Sequence, residues 1–173
     1  MYKLKKKTNI PEKYIPKKLT SKDRKKQYAQ IRRTRKNYKK KIYETRKKVK
    51  SYKSKKSNHI SNAERIYKIK SIMPSKELAK KTKCSMNALN AIMKKGQGAY
   101  YSSGSRPNQT AHSWGVARLA SSITGGKAAA VDYNILEEGC SKDSKALKLA
   151  RKSRKKNGYG KRKVPKYNAT MKV

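Results

Sequence analysis

Residues 74–126, PSKELAKKTKCSMNALNAIMKKGQGAYYSSGSRPNQTAHSWGVARLASSITGG, decide the fold. Ser75, directly after Pro74, is placed to cap a helix over KELAKKT. Ser85 is placed to cap a second over MNALNAIMKK, with Gly96 as its stop. Counted from Ser75, the residues Leu78, Ala79, Leu89 and Ile92 fall at the core positions of a helix-turn-helix. Ala79 is small enough to let two helices approach, and Cys84 sits at the turn's buried position. Such a turn prefers glycine where this chain has Lys83. The second helix would carry Ser85, Met86, Asn87 and Asn90 toward a major groove, where Asn reads adenine; it has no Arg for guanine. The plainer reading is a structural helical hairpin, because this pattern arises often by chance.

The stretch continues as GQGAYYSSGSRPNQT. Gly96, Gly98 and Gly104 permit positive φ, and Arg106-Pro107-Asn108 signals a turn. Small hydroxyl residues beside Arg106 suit a phosphate or carboxylate, but no Gly-Lys-Ser/Thr follows, so this is not a P-loop. Nor does it carry the third glycine and preceding strand of a dinucleotide-binding turn. Thr110 then opens a helix through Ile123, with Trp114 as the expected central plug, Leu119 beside it, and Gly125-Gly126 as its end. His112 lies near Ser102, Ser103 and Ser113, yet no acid orients it and no nucleophile elbow is visible. Cys84, Cys140, His59 and His112 lack metal-ligand spacing. The expectation is a non-enzymatic protein with neither metal nor cofactor.

Outside this stretch the chain is dominated by lysine. It has 173 residues, 50 Lys+Arg against 9 Asp+Glu, and a formal net charge of +41. Residues 1–70 carry 28 basic and 4 acidic side chains, and residues 141–173 carry 13 and 1, so a nearly neutral centre is flanked by basic segments. A globule of this length has a radius of gyration of about 16 Å. Confining such a charge there costs on the order of tens of kcal/mol, more than the roughly 5–15 kcal/mol that stabilises a domain. The flanks must extend, or a polyanion or acidic proteins must neutralise them; duplex DNA would match the charge over roughly 70 Å of axis.

Residues 1–20, with Pro11 and Pro16 among lysines, read as an extended arm. Tyr28, Ile31, Tyr38, Ile42, Val49 and Tyr52 form a helical stripe, with helix expected over 21–43 and an extended run after Glu44. Residues 57–68 form a short amphipathic helix. Residues 127–140 close the core with Val131, Ile135 and Leu136 buried, and Glu137-Glu138 is the one acidic pair. Ser141 caps a basic helix with Leu147 and Ala150 on its apolar side, and GYGKRKVPKYNATMKV is a loose tail.

The fold class expected is therefore mainly α. A small helical core, made of the hairpin and the Trp-bearing helix, carries long polybasic, partly extended arms. Residues 1–56 form the N-terminal arm with its long helix, 57–140 the core, and 141–173 the C-terminal helix and tail. Candidate anion contacts are Arg32, Arg33, Arg35, Lys39, Lys40, Arg106, Arg151 and Arg154. Candidate base readers are Ser85, Asn87 and Asn90. The candidate docking core is Leu78, Leu89, Ile92, Trp114 and Leu119. No run is apolar enough to span a membrane, the N-terminus lacks the apolar stretch of a secretory signal, and two cysteines allow one bridge at most and fit a reducing compartment.

The segments Tyr14-Ile-Pro-Lys-Lys-Leu19, Pro74-Ser-Lys-Glu-Leu-Ala-Lys-Lys-Thr82, Gly96 to Thr110, Ser113-Trp114, Gly125-Gly-Lys-Ala128 and Val131-Asp-Tyr133 resemble a family of basic proteins of unassigned activity. Large double-stranded DNA viruses of algae and their relatives encode that family. The resemblance spans roughly residues 10–140, and Lys83 replaces a glycine common there. It implies a virion component of minor-capsid type on the inner face of the capsid, intracellular in the infected host during assembly. The implied partners are the major and other minor capsid proteins, with viral double-stranded DNA or an anionic inner membrane surface under the arms, in a multi-copy assembly. The alternative is a DNA-binding or DNA-condensing protein that uses the hairpin and the arms.

Overall fold

The computed structural model describes residues 3–160 and 164–172. Among them the chain is mainly helical, with a small helical core and one two-stranded sheet. It divides into two compact units: Met1–Ser54 with Ala99–Thr110 and Lys163–Val173, and Lys55–Gly98 with Ala111–Arg162.

The first unit begins with β1 (Lys3–Pro11), a 3-10 turn (Glu12–Tyr14) and α1 (Ser21–Lys39). The expected loose tail is instead β2 (Lys166–Lys172), paired antiparallel with β1 from Lys3↔Lys172 to Lys7↔Asn168 and again at Pro11↔Lys166. Lys161, Arg162 and Lys163 of that tail lie outside the described residues. A two-stranded sheet is marginal alone. Here Ile10 and Ala169 are buried, and Tyr28 of α1 meets the Tyr167 ring at 5.7 Å. Residues 3–20 of the segment read as an extended arm are thus folded, and Ile10, Ile15, Leu19 and Ile31 are buried.

Thr20 caps α1, its hydroxyl accepting the Asp23 N–H. The helix stops at Lys39, four residues before the expected end. There the Lys41 N–H bonds the Tyr38 carbonyl, the Ile42 N–H bonds that of Asn37, and Lys41 turns left-handed at φ 59°. This is a Schellman stop with lysine where glycine is usual. The buried face also differs from the tyrosine stripe. Apart from Ile31 it is polar, made of Asp23, Gln27, Gln30 and Thr34. For Gln30 and Asp23 the reason is the irregular segment after Glu44, whose backbone groups need partners. Gln30 accepts the Lys47 N–H (2.6 Å) and donates to the Lys47 carbonyl (3.1 Å), while Asp23 accepts the Ser51 N–H and hydroxyl.

The second unit holds α2 (Asn58–Tyr67), α3 (Lys76–Thr82), most of α4 (Met86–Ser102), α5 (Ala111–Ile123), α6 (Lys127–Val131), α7 (Tyr133–Gly139) and α8 (Lys145–Asn157). Ser75 caps α3 as the sequence indicates, and Ser57 caps α2. Ser144, rather than Ser141, caps α8. Gly96 does not end α4: it lies inside the helix, where α5 crosses so closely that a side chain there would meet the Gly115 Cα at 2.7 Å. Leu78, Leu89, Ile92, Leu119, Ile123, Leu136 and Leu147 are buried in one cluster. Trp114 is not its plug, being only half-buried on α5. Val131, expected inside, is 45% exposed. Leu136 is buried and Ile135 packs against the cluster from its edge.

Cys84 and Cys140 form a disulfide, the one bridge that two cysteines permit. It ties the α3–α4 turn to the α7–α8 junction. Flanking bonds from the Ser85 N–H to Gly139 and from the Ser141 N–H to Lys83 make the two cysteines a narrow, non-hydrogen-bonded antiparallel pair. The bond is at odds with the reducing compartment that the low cysteine count suggested.

Candidate polyanion-binding surface

In the first unit, α1 and the segment after it supply most of the cations. Lys36, Lys39, Lys40 and Lys41 are exposed, as is Arg32, whose guanidinium lies 5.7 Å from the Tyr28 ring centroid. Two of the expected contacts have internal partners. Arg33 pairs with Glu44 at 2.6 Å. Arg35 donates to the Ser103 carbonyl at 2.6 and 3.1 Å and to Asn9, and its burial lowers its pKa.

Arg46 escaped the sequence reading because nothing local marks it. It is 6% exposed and has no carboxylate partner in the described bonds. Its guanidinium donates to the Tyr100 carbonyl (3.0 Å) and the Ser105 hydroxyl (2.7 Å), and lies 3.7 Å from the Tyr100 ring centroid. Burial pushes its pKa below the usual arginine value, and the Tyr100 hydroxyl opposes that shift.

Arg46 explains part of the Gly/Ser segment. Ser105 is fully buried against this guanidinium, and its carbonyl accepts from Gln27. Gly104 adopts φ 106° and packs on Ile31, where a Cβ would stand 3.1 Å from the isoleucine. Asn108, left-handed at φ 60°, accepts the Val49 N–H and donates to the Val49 and Tyr52 carbonyls at 2.8, 3.0 and 2.6 Å. The loop therefore clamps the irregular segment, and Arg106 is its exposed cation.

In the second unit the hairpin has the expected interior. Leu78, Leu89 and Ile92 are fully buried, and Lys83 at the tight turn is left-handed at φ 54°, the conformation for which glycine is preferred. Leu119 is equally buried. These leucines and Ile92 support a surface; they do not present themselves to a partner. Asn87, Asn90 and Lys94 are exposed at helical spacing on one face of α4. Ser85 is exposed, but its hydroxyl caps the helix by accepting the Ala88 N–H at 3.1 Å. On α3 the exposed lysines are Lys76, Lys80 and Lys81, and Lys83 pairs with Asp143.

On α8, Lys148, Arg151, Lys152, Lys155 and Lys156 lie outside, opposite the buried Leu147 and Ala150. Arg154 is drawn in, its guanidinium 4.6 Å from the Tyr133 ring and 4.4 Å from the Tyr159 ring. A buried ionic hub sits behind α5. Asp132 has no exposed side-chain surface and binds Arg118 (2.7 and 2.9 Å), Lys95 (2.9 Å) and the Ser122 hydroxyl (2.8 Å). Burial alone would push its carboxyl up; Arg118 above all, then Lys95 and Ser122, outweigh this and hold it below the usual value.

No group of three or more His, Cys, Asp or Glu side chains stands ready for a metal among the described residues, and no described helix is long and apolar enough to cross a membrane. The chemistry on offer is cationic: lysine ammoniums spread over two folded units, 27 basic against 3 acidic residues in the first and 23 against 6 in the second. Residues 11–143 match a family described as a family of unknown function (DUF5824). No curated protein and no solved structure matches the chain.

Proposed function

The chain belongs to the DUF5824 family of unknown function; from its charge and the resemblance of its motifs, we propose that it is a non-enzymatic structural protein of minor-capsid type in the virion of a large double-stranded DNA virus. Its folded basic faces rest on a polyanion beside its capsid-protein neighbours. The observation that carries this reading is where the charge sits. The flanks that carry it are not extended: β1, α1 and β2 are folded into a unit of net charge +24. With the flanks folded, a polyanionic surface or acidic protein neighbours would relieve the repulsion, and we take the first. Lysines supply it, and lysine positions a protein on phosphates without reading sequence.

Two measurements test it. Binding of the purified protein to duplex DNA should weaken steeply with salt, by about 0.9 in log K per log salt for each phosphate neutralised. In gradient-fractionated particles, mass spectrometry should find the chain with DNA-free capsids; absence from them rejects the minor-capsid assignment. Asn87 and Asn90 side by side on α4 favour a second reading, in which the hairpin reads DNA sequence. An unchanged sequence preference in Asn87→Ala and Asn90→Ala rejects it.

A further inference from the structure

We propose that the end of α1 is a binding site for unpaired nucleotides, built on Tyr43 and rimmed by Lys36, Lys39, Lys40 and Lys41. This deepens the polyanion-binding reading and rests on it. Tyr43 and Ile42 are 62% and 51% exposed, among the most exposed large apolar side chains described. Solvent-exposed tyrosines usually move freely. This one is held: its ring meets Tyr101 at 5.3 Å and 76°, and Tyr38 at 5.9 Å and 75°. Tyr38 and Tyr101 are themselves stacked at 6.0 Å and 8°, and Tyr101 is anchored edge-on to the fully buried Tyr100. The result is a preorganised aromatic surface, so ordering its side chains on binding costs little.

The surrounding charge selects the ligand. Lys36, Lys39, Lys40 and Lys41, close in sequence to Tyr38 and Tyr43, are exposed. The one nearby acid, Glu44, is already taken by Arg33 and by the Asn37 amide at 3.1 Å. Cations that follow a backbone, next to rings that accept bases, are the combination by which single strands are held without sequence preference. A duplex keeps its bases stacked inside and can use the lysines but not the rings. A capsid protein seated on Ile42 and Tyr43 is the competing occupant, and it would need acidic side chains opposite four lysines.

The test compares fluorescence anisotropy of labelled oligo(dT) and of a duplex with the same number of phosphates, at one salt concentration. Tyr43→Ala should weaken oligo(dT) binding by between about 5-fold and 150-fold, the range for losing one base stack. Duplex affinity should stay within about 2-fold, and Tyr43→Phe, which keeps the ring, should bind oligo(dT) like the unaltered chain. Circular dichroism of each variant checks that the fold survives; Lys39→Ala with Lys40→Ala supplies a second probe that should weaken both ligands. Unchanged oligo(dT) affinity in Tyr43→Ala overturns the inference, as does equal loss on both ligands, or crosslinking of this patch to another polypeptide in particles. Failure to bind any nucleic acid removes the DNA-binding part of the earlier reading as well, so the two failures are distinguishable.

Discussion

Gly96 of α4 faces Gly115 of α5 at backbone contact: a Cβ on Gly96 would lie 2.7 Å from the Gly115 Cα, and one on Gly115 would lie 2.9 Å from the Met93 carbonyl oxygen. The spacing of two helices depends on the side chains at their crossing, and here both positions are hydrogen. In an isolated helix, glycine to alanine gains about 1 kcal/mol. Here Gly96→Ala should lose roughly 1–3 kcal/mol through overpacking against backbone that cannot rotate away. Urea denaturation checks the sign, and a stabilised variant would mean the crossing is looser than described.

Asn108 should be the most sensitive polar position of the first unit. Its amide satisfies Val49 and Tyr52 backbone groups while its own backbone is left-handed. Asn108→Ala is expected to cost about 2–4 kcal/mol, combining lost bonds with strain at positive φ. Asn108→Gly removes the strain alone and should recover about 1 kcal/mol of that loss, which equilibrium unfolding of the pair resolves.

Asp132 predicts an acid limb in stability. Its pKa in the folded protein lies below the unfolded value, so its contribution is complete above that value and disappears as pH falls through the folded one. Asp132→Asn leaves Arg118 and Lys95 without their shared carboxylate and should cost about 3–5 kcal/mol near neutrality. Unfolding measured from pH 6 down to pH 2 should show that cost shrinking below about pH 4. Parallel curves would show that the carboxylate does not supply the term.

The Cys84–Cys140 bond closes a loop with a sequence separation of 56. Chain entropy sets its worth at up to about 4 kcal/mol. Reduction with dithiothreitol, or Cys84→Ala with Cys140→Ala, should lower the melting temperature by equal amounts. Secondary structure should survive below the new midpoint, because the Ser85–Gly139 and Ser141–Lys83 backbone bonds remain. A melting temperature indifferent to reductant would show that the bridge is not formed in solution.

Much of the second unit was legible in the residues. Ser75 and the Leu78, Leu89 and Ile92 spacing are local signals, acting within one or two helical turns, and they give the hairpin found. Lys83 shows the limit of such signals: the turn keeps the left-handed conformation that favours glycine while carrying lysine. The candidate site was less legible. A run of basic residues does not show which guanidiniums fold inward. Arg35 and Arg154 do so because the Ser103 carbonyl and two tyrosine rings reach them, whereas Arg33 stays exposed and pairs with Glu44.

By itself the sequence determined a mainly helical chain, its best hairpin, and a large cationic excess concentrated in its flanks. Composition and short-range periodicity suffice for these. Only the tertiary structure decided that β1 pairs with β2 from the opposite end of the chain, and that Gln30 and Asp23 of α1 bond the segment after Glu44. It also decided that Gly96 is a crossing point instead of a stop, and that the Tyr43 ring packs against Tyr38 and Tyr101. Each of these rests on groups distant in sequence. Their contacts repay loop closure only when the whole unit forms, so no local window contains them.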